Sequence, residues 1–444
     1  MNSERTARKP RRRLAGAAVA AGTTVAVLAG GGTTALAARA APAGGIISTV
    51  AGGVGGPGPA TAISLVSDNV PAGNCGSPEG AAGVAAAPGR LYIADGSVRQ
   101  VSEQTGTLTT PAGTGAAGPL GLGGPAAGSS TAACGVAADH AGNLVIADPN
   151  SRRLLLVAAK TGTFYGQQMT AGHIYAVAGD GGPAPGGTGV PRFSGDGGPA
   201  TSAGMWNPTA VQLDSAGNLL IADQDDSRIR VVAVKTGTFY GRAMKAGHIY
   251  TVAGDGTFGF AGDGGPATKA ELGEPAWAAA DHAGNLLIAD SHNERVRVVA
   301  ASTATFYGQK MTKGNIYTVA GNGLSGFAGD GGPARFAEFN QPVSVAVDPA
   351  GNIVLADTNF GSVPADMGNN RVRVVAARTG TFYGVPMTKG DIYTVGGNGQ
   401  PGYAGDGHAA AKAELDDPVG VGVTGAGNLL VADVNDGRVR EITR

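Results

Sequence analysis

The stretch GNLLIAD from Gly284 to Asp290 is written six times along the chain, and its spacing decides the fold. The other copies are LYIAD ending at Asp95, GNLVIAD at Asp148, GNLLIAD at Asp223, GNIVLAD at Asp357 and GNLLVAD at Asp433. Successive aspartates lie 53, 75, 67, 67 and 76 residues apart. The long intervals come from eight extra residues ahead of Phe193 and nine between Asp357 and Arg371. The short first interval mainly reflects a missing TFYG segment. Beneath these insertions and gaps runs one period of about 67 residues, the mark of an array whose unit does not bury a core alone.

Each unit reads as four short strands. Around Asp290 these are AWAAAD (Ala276 to Asp281), NLLIAD (Asn285 to Asp290), RVRVVA (Arg295 to Ala300) and NIYTVAG (Asn315 to Gly321). Gly, Asn, Asp and Pro punctuate the joints, as they do between strands. NLLIAD is apolar on both faces and belongs in the interior. In RVRVV, Arg295 and Arg297 alternate with Val296 and Val298, which predicts one solvated and one buried face. AWAAAD is rich in small residues, as expected where six strands crowd around one axis. Six four-stranded sheets repeated radially make an all-β, six-bladed propeller. The last unit has only three strands before Arg444, whereas GIISTVAGG (Gly45 to Gly53) copies the fourth strand, HIYTVAGD. The N-terminal strand is therefore expected to complete the last blade.

Over nearly everything after residue 44 the chain resembles the NHL-repeat family, in its secreted, actinobacterial-type form. The resemblance rests on ADSHNERVRVV from Ala289, VAVDPAGN from Val345 and the linker beginning IYTVAG at Ile316 and continuing through GFAGDGGPA. The Asn-His-Leu triplet that names the family is replaced here by Asn-Glu-Arg or Asn-Asn-Arg. The resemblance implies an NHL-type propeller over 41–444. Family members include protein-binding and RNA-binding modules, sensor domains and a zinc lyase, so the fold leaves function open.

Residues 1–40 read as an export signal: a basic start (Arg8, Lys9, Arg11, Arg12, Arg13), an apolar stretch from Leu14 to Ala37, and small-residue exits near Ala37 and Ala40. Arg11 and Arg12 resemble a twin-arginine signal, with the general route as the alternative. An uncleaved anchor is the other reading; no later segment is apolar enough to span a bilayer. Cleavage removes seven Lys/Arg and one acid, taking the formal charge from −1 to −7. A mildly acidic, exported domain is a poor partner for nucleic acid. The expected setting is secreted or cell-surface, the expected state a monomer. The two cysteines, Cys75 and Cys134, precede or open inner strands of neighbouring blades, and export favours a disulfide between them.

Candidate chemistry is sparse. His140 and His282 (in DHAGN turns) and His173 and His248 (in AGHIY) stand where other units carry Pro349, Asn315 or Asp391, so they read as turn residues; His292 and His408 are isolated. No histidine maps onto the inner strands, so the zinc lyase activity is not carried over, and no catalytic or metal residue is assigned. The residue before each strand-opening proline is polar: Asn207, Glu274, Gln341 and Asp417. These would form a partial ring at the channel mouth, where oxygen ligands suit calcium as in lactonase-like propellers. The GDGG turns with Asp196, Asp263, Asp330 and Asp406 read as structural. Four TFYGxxMxxG arms carry Tyr165, Tyr240, Tyr307 and Tyr383, each beside a phenylalanine and followed by Met169, Met244, Met311 or Met387. Either they lengthen each blade or they form an aromatic binding rim. The combined expectation is a non-catalytic module binding an extracellular or cell-envelope protein or glycan, with no cofactor. The alternative is a metal-dependent hydrolase or lyase at the channel mouth.

Overall fold

The computed structural model describes residues 44–52, 60–62, 65, 83–116, 118–182, 193–358 and 369–444. The expected export signal, Cys75 and the two insertions lie outside the described residues. No helix among the described residues is long and apolar enough to cross a membrane.

Six four-stranded antiparallel sheets make up the propeller. In blade 4 the strands are Pro275–Ala280, Leu286–Asp290, Arg295–Val299 and Ile316–Ala320, within a residue or so of the sequence reading. The inner strands of blades 1 to 6 are Gly83–Ala87, Gly135–Ala138, Pro208–Leu213, Pro275–Ala280, Pro342–Val347 and Pro418–Val423. Each packs on the inner strands of both neighbours, with blade 6 against blade 1, so the ring is closed. Close approach explains the small residues: a Cβ on Gly83 would stand 2.7 Å from the Cys134 carbonyl oxygen, and one on Gly135 3.0 Å from that of Thr209. The second strands are buried on both faces, as in Leu286, Leu287, Ile288 and Ala289. The core thus lies between blades, in clusters that join each sheet to the next. The third and outer strands of every blade pair with a register shift, and such bulges sharpen the twist of a blade.

The ring closes as expected. Ile47–Gly52 runs antiparallel to Arg438–Ile442, with Ile47 opposite Ile442 and Thr49 opposite Arg440. The Thr49 N–H donates to Asp406 Oδ2 at 2.9 Å, as the Thr318 and Thr394 N–H groups donate to Asp263 and Asp330 Oδ2 at 2.9 Å. The N-terminal strand therefore fills the outer position in chemistry as well as in pairing.

The expectation of a solvated arginine face on the third strand is corrected. Arg230, Arg297, Arg373 and Arg440 are fully buried because the linker from the preceding blade folds over them. Arg297 shows the pattern: Nη1 donates to Asp290 Oδ2 (3.2 Å) and the Glu271 carbonyl (2.6 Å), and Nη2 to Asp263 Oδ1 (2.7 Å) and the Ala261 carbonyl (2.9 Å). Arg373 repeats it with Asp357, Glu338, Asp330 and Ala328. The GDGG aspartates are thus structural: each accepts an outer-strand N–H, and three of them also hold a buried arginine. Blade 2 changes three members together: Leu155 replaces the arginine, Leu122 the linker aspartate and Pro119 the linker aromatic, while the second-strand Asp148 stays buried and accepts the Ala132 N–H at 3.0 Å.

Deleting residues 41–53 should expose the edge of Arg438–Ile442 and strip Asp406 of its Thr49 donor. We expect a loss of several kcal/mol, read as a lowered thermal midpoint with aggregation in size-exclusion chromatography. A truncated protein melting like the parent would contradict closure by this strand.

Candidate functional site

Antiparallel order gives the ring two chemically distinct faces. Inner strands begin on the upper face, beside the turns joining second to third strands. They end on the lower face, beside the DxxGN turns and the TFYG hairpins.

On the upper face, Asn207, Glu274, Gln341 and Asp417 occupy equivalent positions in blades 3 to 6, each pinned by a nearby turn. Asn207 Nδ2 donates to Asp225 Oδ1 at 3.2 Å, and Glu274 pairs with His292 Nδ1 at 3.3 Å. The Gln341 N–H donates to Glu294 Oε2 at 2.5 Å. Asp417 accepts the Thr358 hydroxyl at 2.7 Å and donates its N–H to Asn370 Oδ1 at 3.0 Å. Glu274, Gln341 and Asp417 have φ of 44°, 54° and 57°, a left-handed backbone that costs a side-chain-bearing residue on the order of 1–3 kcal/mol. Burial pushes Glu294 up to about 7 and Asp417 up to about 6. Two buried polar atoms beside them, Gln341 Oε1 and Asn370 Nδ2, have no hydrogen-bond partner among the described residues. The carboxylates are nonetheless held pairwise by protein donors. Among the described residues no cluster of three or more His, Cys, Asp or Glu is placed to hold a metal ion.

The upper face also carries the aromatic surface, on residues the sequence reading did not select. Phe258, Phe260, Phe327 and Tyr403, with Leu324, are exposed in the linkers entering blades 4 to 6. Each ring that precedes a GDGG turn lies under the outer arginine of the next third strand. Arg295 sits 3.8 Å over Phe260, Arg371 3.7 Å over Phe327 and Arg438 3.7 Å over Tyr403. Phe258 meets His292 edge-on, with ring centroids 5.8 Å apart. The signal in the sequence is the aromatic recurring three residues before each GDGG aspartate, in register with a double arginine.

Three of the four arm tyrosines are tied to the lower-face turns. Tyr240, Tyr307 and Tyr383 turn their hydroxyls onto the DxxGN carboxylates of Asp214, Asp281 and Asp348, at 3.0, 2.6 and 2.9 Å. Tyr383 is 2 % exposed and the other three arm tyrosines are half-buried. Burial raises all four phenols above the usual tyrosine range. The hairpins therefore brace the lower face.

The central channel opens there as a cavity of about 420 Å³, walled by positions such as Val84, Ala137, Ala279 and Val345. His140 and His282 stand at its rim with Gln212 and Asp214. Both histidines sit in the turns the sequence indicates, and only ring closure places those turns against the channel. Cys134 is buried where blade 2 begins.

A buried acidic pair marks blade 3. In blade 4 Asn293 Nδ2 bridges Asp290 Oδ2 and the Gly259 carbonyl, at 2.9 and 2.8 Å. Asp226 replaces that asparagine, is 1 % exposed, and neither of its carboxylate oxygens has a donor. Burial first, then the neighbouring Asp223 charge, raise it to about 7.

No family model matches the chain, and no curated protein sequence does. Solved structures match over most of its length. A protein of unknown function from Bacteroides thetaiotaomicron shares 14% identity, covering 90% of this chain and 75% of its own, with a TM-score of 0.55. An auxiliary nutrient binding protein from the same organism shares 13%, covering 89% and 76%, at 0.53. A second protein so described, from Bacteroides ovatus, shares 12%, covering 90% and 76%, at 0.51. Identities this low establish a shared fold.

The Asp226 position gives a pH prediction. Its folded value of about 7 lies above the unfolded value of roughly 3.9, so the folded state retains the proton while the unfolded state loses it. Stability attributable to this group falls as pH rises from about 4 to about 7. Asp226→Asn should melt higher than the parent at pH 7.5, with the difference shrinking towards pH 4. Parallel melting curves across that range would refute the assignment.

Proposed function

We infer that the protein is an extracytoplasmic, non-catalytic binding module of NHL-repeat type whose partner, a protein or glycan of the envelope or surroundings, meets the upper face. One observation carries this reading: Phe260, Phe327 and Tyr403 are 40–42 % exposed while held against arginine planes. Aromatic side chains fixed before binding lose little entropy on association, and binding energy concentrates in such residues. Phe258 at 59 % and Leu324 at 61 % exposed extend the same surface. Nutrient binding, the description carried by two structural neighbours, is a role of the same class.

The test compares two sets of variants, offering immobilised protein to a glycan array and to envelope extract. Phe258→Ala, Phe327→Ala and Tyr403→Ala combined should reduce capture about tenfold or more with cooperative unfolding retained. Tyr240→Phe and Tyr307→Phe should leave capture unchanged. Loss confined to the arm variants would overturn the reading.

A second reading, a metal-dependent hydrolase or lyase at the channel mouth, draws on Glu294, whose value of about 7 suits a general base, and on the left-handed backbone beside it. Metal analysis of the purified protein, with activity lost in Glu294→Gln, would promote it.

Export brings with it a disulfide between Cys75 and Cys134. Non-reducing intact-mass analysis after alkylation should find no modified thiol, and reductant should lower the melting temperature. Two alkylated cysteines would sink this pairing.

A further inference from the structure

On the lower face, Tyr383 spans the gap between one blade and the next. Tyr383 of blade 5 donates to Asp348 in its own turn at 2.9 Å and approaches the Gly427 carbonyl in the turn of blade 6 at 3.4 Å. In blades 3, 4 and 5 the carboxylate oxygen that takes the phenol also takes the turn asparagine. Asn218, Asn285 and Asn352 donate Nδ2 to Asp214, Asp281 and Asp348 Oδ2 at 2.8, 2.7 and 2.8 Å. The repeat thus contains its own recognition template: an aromatic ring between two turns, with its hydroxyl on a carboxylate anchored by asparagine.

Between blades 6 and 1 the described residues supply no ring to this template. The third strand of blade 6, Arg438–Ile442, pairs with the distant Ile47–Gly52, so no hairpin joins them. At the corresponding place lies a groove of about 810 Å³. Its banks are the turn at Thr424–Ala426 of blade 6 and the turn at Pro88–Gly89 of blade 1, and Leu91, Val101 and Leu430 line it with apolar surface. Thr424 stands where blades 3 to 5 carry the turn aspartate, yet the carboxylate is kept. Glu441 reaches in from the third strand, accepts Asn428 Nδ2 on Oε1 at 2.7 Å, and lines the groove. The acceptor of the template is present without the ring that elsewhere uses it.

We propose that the groove between blades 6 and 1 binds a small phenol carrying an apolar body, its ring between the two turns and its hydroxyl donating to Glu441. The volume falls within the range of sites for drug-sized ligands, and a phenol on a carboxylate forms a charge-assisted bond that an ether does not make. This site faces away from the aromatic linkers and stands or falls independently of the upper-face reading.

The probe is 2-naphthol, titrated by its fluorescence into the full chain, with 2-methoxynaphthalene as the matched aromatic lacking a donor. Naphthol should bind saturably at one site, with the ether at least about tenfold weaker. Ala426→Trp, at an exposed turn position, should abolish binding of both while melting as the parent does. Where that variant fails to fold, Glu441→Gln should bring the two affinities to within about threefold of each other. Equal binding of naphthol and ether by the parent, naphthol binding unaffected by Ala426→Trp, or no binding up to the solubility limit would each overturn the proposal.

Discussion

The buried arginine of the third strand is the contact on which the arrangement of blades 3 to 6 depends. A guanidinium offers five donors in a rigid fork, and Arg297 spends them on two elements that sequence separates. These are the second-strand aspartate of its own blade and both limbs of the linker arriving from the blade before, at Ala261–Asp263 and at Glu271. Such a residue is stable without water only when every partner is in place. It therefore forces the linker to lie along the next blade before the inner strand can begin.

In blade 2 three members of this network change together. Leu155, Leu122 and Pro119 stand where blade 4 has Arg297, Asp263 and Phe260. The second-strand Asp148 stays buried without an arginine, and its carboxylate accepts the Ala132 and Ser151 N–H groups at 3.0 and 2.9 Å. Exchange of a buried ionic group for apolar residues is often neutral in stability, so the network's main consequence is geometric. It fixes where the linker lies and hence which side chains the linker presents.

That geometry divides the molecule by face. On the upper face the linkers hold aromatic rings against arginine planes with their other sides in solvent, beside turns that carry carboxylates of raised pKa. On the lower face the hairpins turn tyrosines inward and tie their hydroxyls to the turns. Blades 6 and 1 lack the tyrosine-bearing arms, and among the described residues the lower face stays open there. Presentation and bracing are thus assigned to opposite faces by one structural repeat.

The sequence by itself determined the number of blades, the four strands of each, and closure by Ile47–Gly52. All of these follow from local periodicity and from counting copies of one phrase. Alternation in RVRVV correctly separated two faces of a strand, but it carries no information about what comes to cover a face. Tertiary structure decided that Arg297 is buried, because the covering linker belongs to a different repeat. It decided likewise that Tyr307 points to Asp281 while Phe260 stays in solvent, since aromatic content is visible in sequence and its direction is not. His140 and His282 came to rim the channel, and the groove at Glu441 came to exist, only when residues hundreds of positions apart met at the ring's seam. Periodicity is a property of neighbours along the chain; the surfaces available to a ligand are set by contacts between repeats.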